Sequence, residues 1–297
     1  MKRKVISVLV AAAMVSLAAA GCGSGLKETE AVQTEGKEPT EAQTEAGEES
    51  EAQSDTAETE DTQGTSGGTF TVGFDQDFPP MGFVGDDGEF TGFDLDLAAE
   101  VAKRLGKEVV YQPIAWDAKD MELDSGTIDC IWNGFTMNGR EDAYTWSEPY
   151  MKNNQVFVVK ADSGITSTAD LAGKIVDVQT DSSAEAALNE NTELTGTFGQ
   201  LITVADYNTA FMDLESGAVD AIAMDDTVAS YQIEKREADF VVLEEAIAAE
   251  EYGIGFKKGN EQLRDQVQAA LEEMAADGTL AEISTEWFGK DITTIGK

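Results

Sequence analysis

Carboxylates are the groups with which this 297-residue chain could do chemistry, because it contains 58 aspartate and glutamate residues and no histidine. Without histidine there is no Ser-His-Asp or Cys-His nucleophile system and no His-ligated metal site. Two cysteines, Cys22 and Cys130, are too few for a disulfide framework or a thiolate metal cluster. The sequence therefore indicates a binding protein, or an enzyme that works with carboxylates alone.

Two of these carboxylates, Asp94 and Asp96, are close enough in sequence to suggest a catalytic pair or a calcium loop. The calcium pattern of ligands followed by a distal glutamate is absent, however. We predict instead that both acids lie at the start of a helix, where their charges complement the helix dipole. Cys130 lies in an apolar strand pattern and is predicted to be a reduced core residue.

The charge balance narrows the range of partners. The chain has 20 basic and 58 acidic residues, a net charge of −38. Nucleic acids and anionic membrane surfaces bind positively charged proteins, so neither is expected as a partner. We expect a monomer without a metal or a cofactor.

The first 21 residues have the pattern of an export signal: basic residues at 2–4 precede an apolar run that is too short to span a membrane comfortably. The run ends in LAAAGC at 17–22, which resembles the bacterial lipoprotein processing site. We predict a lipoprotein signal peptide over 1–21 and a lipidated Cys22 that anchors the protein to the outer face of the cell membrane. The alternative is an ordinary cleavable signal in which Cys22 has no role.

Residues 22–68 are predicted to be the lipidated cysteine followed by a disordered acidic linker. Residues 23–68 include 13 acidic and 2 basic residues and no aromatic residue. Such a segment buries too little apolar surface to offset the entropy lost on folding.

Strand and helix patterns alternate from residue 69 to residue 297. Strands are predicted at 70–74, 109–111, 128–132, 155–160, 175–178, 203–206, 218–224 and 251–257. Helices are predicted from 92 to 105, around 119–123, and at 183–188, 209–216, 227–236, 261–277 and 280–288. This alternation predicts an α/β fold of mostly parallel sheets flanked by helices. Crossovers near Gln155 and Tyr252 predict two lobes joined by two hinge strands, with 69–154 and 253–297 in lobe 1 and 155–252 in lobe 2.

Short motifs in this region occur in a recognisable order. They are VGFD at 72–75, FPP at 78–80, GFDLDL at 92–97, NGFT at 133–136, WSEPY at 146–150, DAIAMD at 220–225, YGIGF at 252–256 and WFG at 287–289. On these motifs the chain resembles the solute-binding proteins of polar amino-acid ABC importers, bacterial extracellular solute-binding protein family 3. The resemblance implies a two-lobed type II periplasmic-binding-protein-like fold that closes on one amino acid, and a membrane permease as partner.

The resemblance also implies where the amino acid's carboxylate binds. Arginine suits a carboxylate because its planar guanidinium forms two parallel hydrogen bonds, and the family's arginine corresponds to Arg140. The alternative is a surface arginine paired with Glu141 or Asp142. Further ligand contacts are implied for Gly134, Thr136, Ser182 and Ser183.

The partner of the amino acid's ammonium group corresponds to Asp225. It follows a predicted strand, at the edge where parallel sheets bind ligands. Two alternatives stay open: Asp226 has this role, or the acids cap the helix that begins at Thr227.

The remaining implied contacts concern the ligand's side chain. Phe78 and Trp116 correspond to the aromatic pair that covers it. Gln179, which is neutral, occupies the family's position for the partner of a basic ligand side chain. Asp75 adds negative charge, and so does Asp181 if it faces the pocket; Asp181 replaces a glycine of the family pattern. We therefore predict a neutral polar or basic amino acid as ligand, since an acidic side chain would meet a like charge.

Two functions from different classes follow. The first is an amino-acid-binding component of an ABC importer that performs no catalysis. The alternative is an enzyme on the same fold, similar to the cyclohexadienyl or arogenate dehydratases. Such an enzyme needs a positioned acid and several cationic clamps, whereas this pocket offers one arginine.

Overall fold

The computed structural model describes residues 67–236 and 239–297. The predicted signal peptide over 1–21, the lipidation at Cys22 and all but the last two residues of the predicted linker lie outside the described residues.

Fourteen strands are defined in these two ranges. They are Thr69–Phe74 (β1), Asp77–Phe78 (β2), Gly82–Val84 (β3), Phe90–Thr91 (β4), Glu108–Pro113 (β5), Cys130–Ile131 (β6), Thr145–Trp146 (β7), Met151–Lys160 (β8), Ile175–Gln179 (β9), Gln200–Val204 (β10), Ala221–Asp225 (β11), Phe240–Val242 (β12), Ala248–Tyr252 (β13) and Gly255–Phe256 (β14). The α-helices of the described residues are Phe93–Arg104 (α1), Lys119–Ser125 (α2), Ser183–Glu190 (α3), Thr192–Thr195 (α4), Tyr207–Ser216 (α5), Asp226–Arg236 (α6), Glu261–Asp277 (α7) and Thr279–Phe288 (α8), and two short 3-10 helices cover Trp116–Ala118 and Thr168–Leu171.

The strands form two large sheets and a small antiparallel one of β2, β3 and β4. The first sheet has the order β5-β1-β6-β14-β7, and β5, β1 and β6 are parallel. The second has the order β10-β9-β11-β8-β12, with β13 also paired to β8, and β10, β9 and β11 are parallel. The predicted α/β fold is confirmed, with the parallel part of each sheet limited to three strands and extended by antiparallel ones.

A cluster of four aromatic rings packs around the segment at 133–136, which follows β6 of the first sheet. The rings of Trp116, Phe135, Tyr144 and Trp146 lie with neighbouring centroids between 4.8 and 5.4 Å apart. Aromatic pairs of this kind each contribute about 0.5–1.5 kcal/mol beyond the area they bury. Because Phe135 lies within the NGFT motif at 133–136, this packing holds the motif in place.

One predicted strand, at 251–257, is wrong. The chain there forms two strands in different sheets: β13 pairs with β8 in the second sheet, and β14 pairs with β6 and β7 in the first. Gly253 lies between them, and a Cβ atom at this glycine would approach Met137 Sδ to 2.6 Å. The close approach of Met137 explains why a residue without a side chain stands at the crossing.

A second predicted strand, at 203–206, is displaced. The strand is Gln200–Val204, and Asp206 is the N-cap of α5. Its Oδ1 accepts a hydrogen bond from the Thr209 N–H at 2.8 Å. An aspartate that caps a helix in this way satisfies one of the unpaired amides of the first turn.

Cys130 is fully buried in β6, as predicted, and burial raises the pKa of its thiol well above the usual range. No helix within 67–236 and 239–297 is long and apolar enough to cross a membrane. These residues also contain no group of three or more His, Cys, Asp or Glu side chains arranged to hold a metal ion.

Candidate ligand-binding site

Nine of the ten residues predicted to contact a ligand line one small cavity between elements of the first and the second sheet. They are Phe78, Trp116, Gly134, Thr136, Arg140, Gln179, Ser182, Ser183 and Asp225, and Asn133 also lines this cavity. The enclosed space measures about 10 Å³, which is about the room that one water molecule needs. The remaining predicted residue, Asp75, lines an adjoining cavity instead.

Arg140 brings a guanidinium group to the wall of this cavity. The group lies over the Phe135 ring, 5.3 Å from its centroid. It donates hydrogen bonds to the carbonyl oxygens of Thr136 and Asp181, at 3.4 and 3.2 Å. None of the ion pairs within the described residues includes Arg140. The alternative pairing of Arg140 with Glu141 or Asp142 is therefore not observed.

Asp94 holds the backbone of the cavity wall at Gly134. Its Oδ2 accepts hydrogen bonds from the Gly134 N–H at 2.6 Å and from the Tyr150 hydroxyl at 2.9 Å. Burial raises the pKa of Asp94 to about 7. Asp94 and Asp96 do lie in the first turn of α1, as predicted. Asp94 is nevertheless fully buried, so its main contacts are with the wall of the cavity rather than with the helix dipole.

Asp225 ends β11 with its carboxylate in the cavity wall. Its Oδ1 accepts hydrogen bonds from the amides of Asn153 and Gln155, at 3.0 and 2.8 Å, and from the Tyr252 hydroxyl at 2.6 Å. Burial and, next, the neighbouring Glu250 raise the pKa of Asp225 well above its usual range. A buried acid at the carboxyl end of a strand lies where α/β sheets bind ligands.

Asp226, the competing candidate, lies in the first turn of α6 and accepts a hydrogen bond from the Ser230 hydroxyl at 3.4 Å. It does not line the cavity. Of the two neighbouring acids, Asp225 is therefore the one available to a ligand in this cavity.

The start of α3 forms another part of the wall. Ser182 is its N-cap, with a hydroxyl that accepts a hydrogen bond from the Glu185 N–H at 3.1 Å. The Ser183 hydroxyl accepts hydrogen bonds from the Thr136 hydroxyl at 3.1 Å and from the Gln155 amide at 2.9 Å. These contacts connect the NGFT motif of the first sheet to α3 and β8.

Asp181 departs from the family pattern but does not face the cavity with a free charge. Its φ of 58° lies in the left-handed region, which glycine adopts most easily. Its carboxylate pairs with the buried ammonium group of Lys119, which also donates to the Trp116 carbonyl oxygen at 3.3 Å. This ion pair joins α2 to the segment before α3 and compensates the charge of Asp181.

Asp75 lies in an adjoining cavity of about 530 Å³. Its Oδ2 accepts a hydrogen bond from Gln179 Nε2 at 2.7 Å, and Gln179 lines the small cavity, so the two sites are connected. Burial raises the pKa of Asp75 to about 6. The other charged residues that line the adjoining cavity are Asp77, Asp117 and Asp206, and no lysine or arginine of the described residues lines it. This cavity therefore favours neutral or positively charged groups.

The aromatic residues Phe78 and Trp116 are both nearly buried in the cavity wall. Phe78 packs on Tyr207 with ring centroids 5.9 Å apart, and Trp116 packs edge-on against Phe135. The structure thus brings the two predicted rings to the same cavity. That they cover a ligand's side chain stays a prediction.

The sequence analysis missed several polar residues of the site. They are Lys119, Asn133, Asn153, Gln155 and Glu250. Asn153 and Gln155 lie at alternate positions of β8 and so share one face, but Asn154 between them is also an amide, so the sequence did not single them out. Nothing in the local sequence distinguishes Glu250 from Glu251, which follows it.

Comparison with known sequences identifies the family of this chain. The model of the family described as bacterial extracellular solute-binding proteins, family 3, matches residues 70–290. The L-cystine-binding protein TcyJ of Escherichia coli is 38% identical over 229 residues, which are 76% of this chain and 85% of that protein. The L-cystine-binding protein TcyA of Bacillus subtilis is 31% identical over 76% of this chain and 83% of its own length.

Solved structures give the same result for the fold. A substrate-binding protein of an ABC uptake transporter from Streptococcus pneumoniae, with bound histidine, is 37% identical and has a TM-score of 0.74. The similarity covers 76% of this chain and 94% of that one. An ancestral arginine-binding protein bound to glutamine is 37% identical, with a TM-score of 0.69 over 75% of this chain and 98% of that one. These similarities confirm the predicted two-lobed fold.

Proposed function

Because the chain belongs to the bacterial extracellular solute-binding proteins, family 3, we propose that it captures a polar amino acid between its two lobes and delivers it to the permease of an ABC importer. The observation that carries this proposal is the small cavity with Arg140 and Asp225 in its wall. An amino-acid zwitterion needs a fixed cation for its carboxylate and a fixed anion for its ammonium group, and the two residues supply them.

Movement of the two lobes is part of this function. Arg140 belongs to the segment between β6 and β7 of the first sheet, and Asp225 ends β11 of the second. The space between them is about 10 Å³, so an amino acid enters only when the walls move apart. We propose lobes at 69–154 with 253–297 and at 155–252, because the chain passes from the first sheet to the second between β7 and β8 and returns between β13 and β14. A ligand that contacts both anchors favours the closed arrangement, which is the differential affinity that closure requires.

The acidic residues of the adjoining cavity favour a ligand with a neutral polar or basic side chain. Asp75 and the three other acids of that cavity would repel a side-chain carboxylate, whereas an amide, ammonium or guanidinium group satisfies them. L-arginine, L-histidine and L-glutamine meet this requirement. The second half of L-cystine supplies an ammonium group to these acids but also carries a carboxylate, so its net charge is zero. The relatives and structures described above give no support to the dehydratase alternative.

A thermal-shift screen of the twenty amino acids and L-cystine tests the function and the ligand class together. We expect a neutral polar or basic amino acid to raise the melting temperature most, because a ligand that binds only the folded state stabilises it. The Arg140→Ala variant serves as control and should show no such rise. A largest shift with glutamate or aspartate would contradict the charge argument, and no shift with any amino acid would contradict the function.

The family places the protein outside the cytoplasm, and a lipid anchor at Cys22 fits that location. Two acyl chains on this cysteine would hold the protein at the membrane stably, whereas one chain holds it marginally. Mass spectrometry of the mature N-terminal peptide is expected to show a diacylated Cys22. Cys130 serves as internal control and should be unmodified, because it is buried. An unmodified Cys22, or cleavage at another bond, would exclude the anchor.

A further inference from the structure

Two buried carboxyl groups meet at the strands that connect the two lobes. Asp225 and Glu250 are only 3% and 5% exposed. The amide nitrogens of Asn153 and Gln155 each lie within hydrogen-bond distance of both groups, with all four distances between 2.7 and 3.0 Å. Asp225 Oδ1 and Glu250 Oε1 therefore share both amide nitrogens, and, after burial, Glu250 is one of the neighbours that raise the pKa of Asp225. Two buried carboxyl groups that share their donors resist ionising together when no cation lies between them.

No cation of the described residues pairs with either acid. The same region also holds hydrogen-bond acceptors that lack donors. Gln155 Oε1 and Asn133 Oδ1 are buried and have no hydrogen-bond partner in the part of the chain that the structure describes. Gln155 belongs to the hydrogen-bond network of the acid pair, whereas Asn133 lines the small cavity and its Oδ1 lies near Gly82 and Phe74. An ammonium group is a cation with three donors and no acceptor, so it matches both deficits.

We propose that Glu250 is the second acid of the ammonium site, and that Glu250 and Asp225 share one proton which the ligand's ammonium group replaces. The proposal deepens the function proposed above and depends on it for the ligand. On binding, the shared proton leaves to water and the pair changes from one negative charge to two. The ammonium group then restores the net charge of the site, and no other reactant is needed.

The exchange predicts that binding becomes tighter as the pH rises. Binding releases a proton, so the affinity increases with pH, by up to about tenfold per pH unit while the free pair still holds its proton. The raised pKa of Asp225 agrees with that protonated pair, and burial raises the pKa values of the adjacent Tyr207 and Tyr252 well above 10. The other charged residues around the pair are Arg140, Asp181, Glu185 and Glu190, which line a cavity with Glu250, together with Asp75, Asp226 and Glu251.

The shared proton is testable without any ligand. The unfolded carboxyl groups lose their protons near pH 4, whereas the folded pair keeps one to higher pH, so wild-type stability should fall as the pH rises from about 5 to about 8. Glu250→Gln should show a smaller fall and a higher melting temperature than wild type at the upper pH. The matched control is Glu251→Gln, the next residue on β13, which should keep the wild-type slope because its side chain lies on the other face of the strand.

The exchange with ammonium is tested by calorimetry with L-cystine, L-arginine and L-histidine in two buffers that differ in ionisation enthalpy. Wild type should release up to one proton on binding at about pH 6. Glu250→Gln should release fewer protons than wild type, bind at least tenfold more weakly at about pH 8, and show a smaller rise of affinity with pH. Binding without proton release, or equal stability slopes in Glu250→Gln and wild type, would overturn the proposal. If no amino acid binds, the function and the ammonium exchange fail together, while the stability slopes still decide whether a proton is shared.

Discussion

Replacing Arg140 with alanine is expected to weaken binding of the amino acid by about 30-fold to several-thousand-fold, as for one partner of a desolvated charge pair. The ligand's carboxylate would lose its bidentate partner and remain enclosed between the lobes. The fold should survive, because Arg140 donates only to two backbone carbonyl oxygens and lies over one ring. Calorimetry measures the affinity, and circular dichroism confirms that the variant is folded.

Arg236→Ala is a suitable control for this variant. Arg236 also lies over an aromatic ring, 4.7 Å from the centroid of Phe211, but it does not line the cavity. Its loss should leave the affinity of the folded protein unchanged. Arg140→Lys should bind more weakly than wild type, because lysine keeps the charge but lacks the planar fork. A loss of less than threefold for Arg140→Ala would remove Arg140 from the site.

Replacing Asp225 with asparagine is expected to cause a loss of binding of similar size. The carbonyl oxygen of the new side chain can still accept hydrogen bonds from Asn153, Gln155 and Tyr252. Its amide nitrogen is a donor, however, and would meet the donors of the ligand's ammonium group. One of the two carboxylates that balance the ammonium group is lost as well. Calorimetry at neutral pH is expected to show a Kd at least about 30-fold higher than that of wild type.

Asp226→Asn provides the matched control, since Asp226 is the adjacent acid and does not line the cavity. It should bind like wild type. The two variants thus separate the position of a charge from the total charge of the protein. If Asp226→Asn loses binding and Asp225→Asn does not, the alternative assignment of the ammonium partner is correct.

The sequence by itself determined the fold class and most of the cavity wall. Alternating strand and helix patterns and an ordered set of motifs led to the α/β architecture and to nine of the residues around the cavity. This was possible because ligand contacts in such folds lie at strand ends and helix starts, and the motifs mark those positions locally. The departure at Asp181 was also visible as a residue type in an unusual place.

Only the tertiary structure decided which distant side chains meet. The pattern at 251–257 is the same whether the strand joins one sheet or two, because period-two alternation carries no information about the partner strand. The sequence also did not show that Asp75 lies beyond the small cavity or that Lys119 pairs with Asp181, because both depend on contacts between distant segments. Glu250 differs from Glu251 only in the face of β13 on which it lies, and that face places it against Asp225. The chemistry of a buried acid depends on its neighbours in space, and these come from segments about 25 to 100 residues apart in the chain.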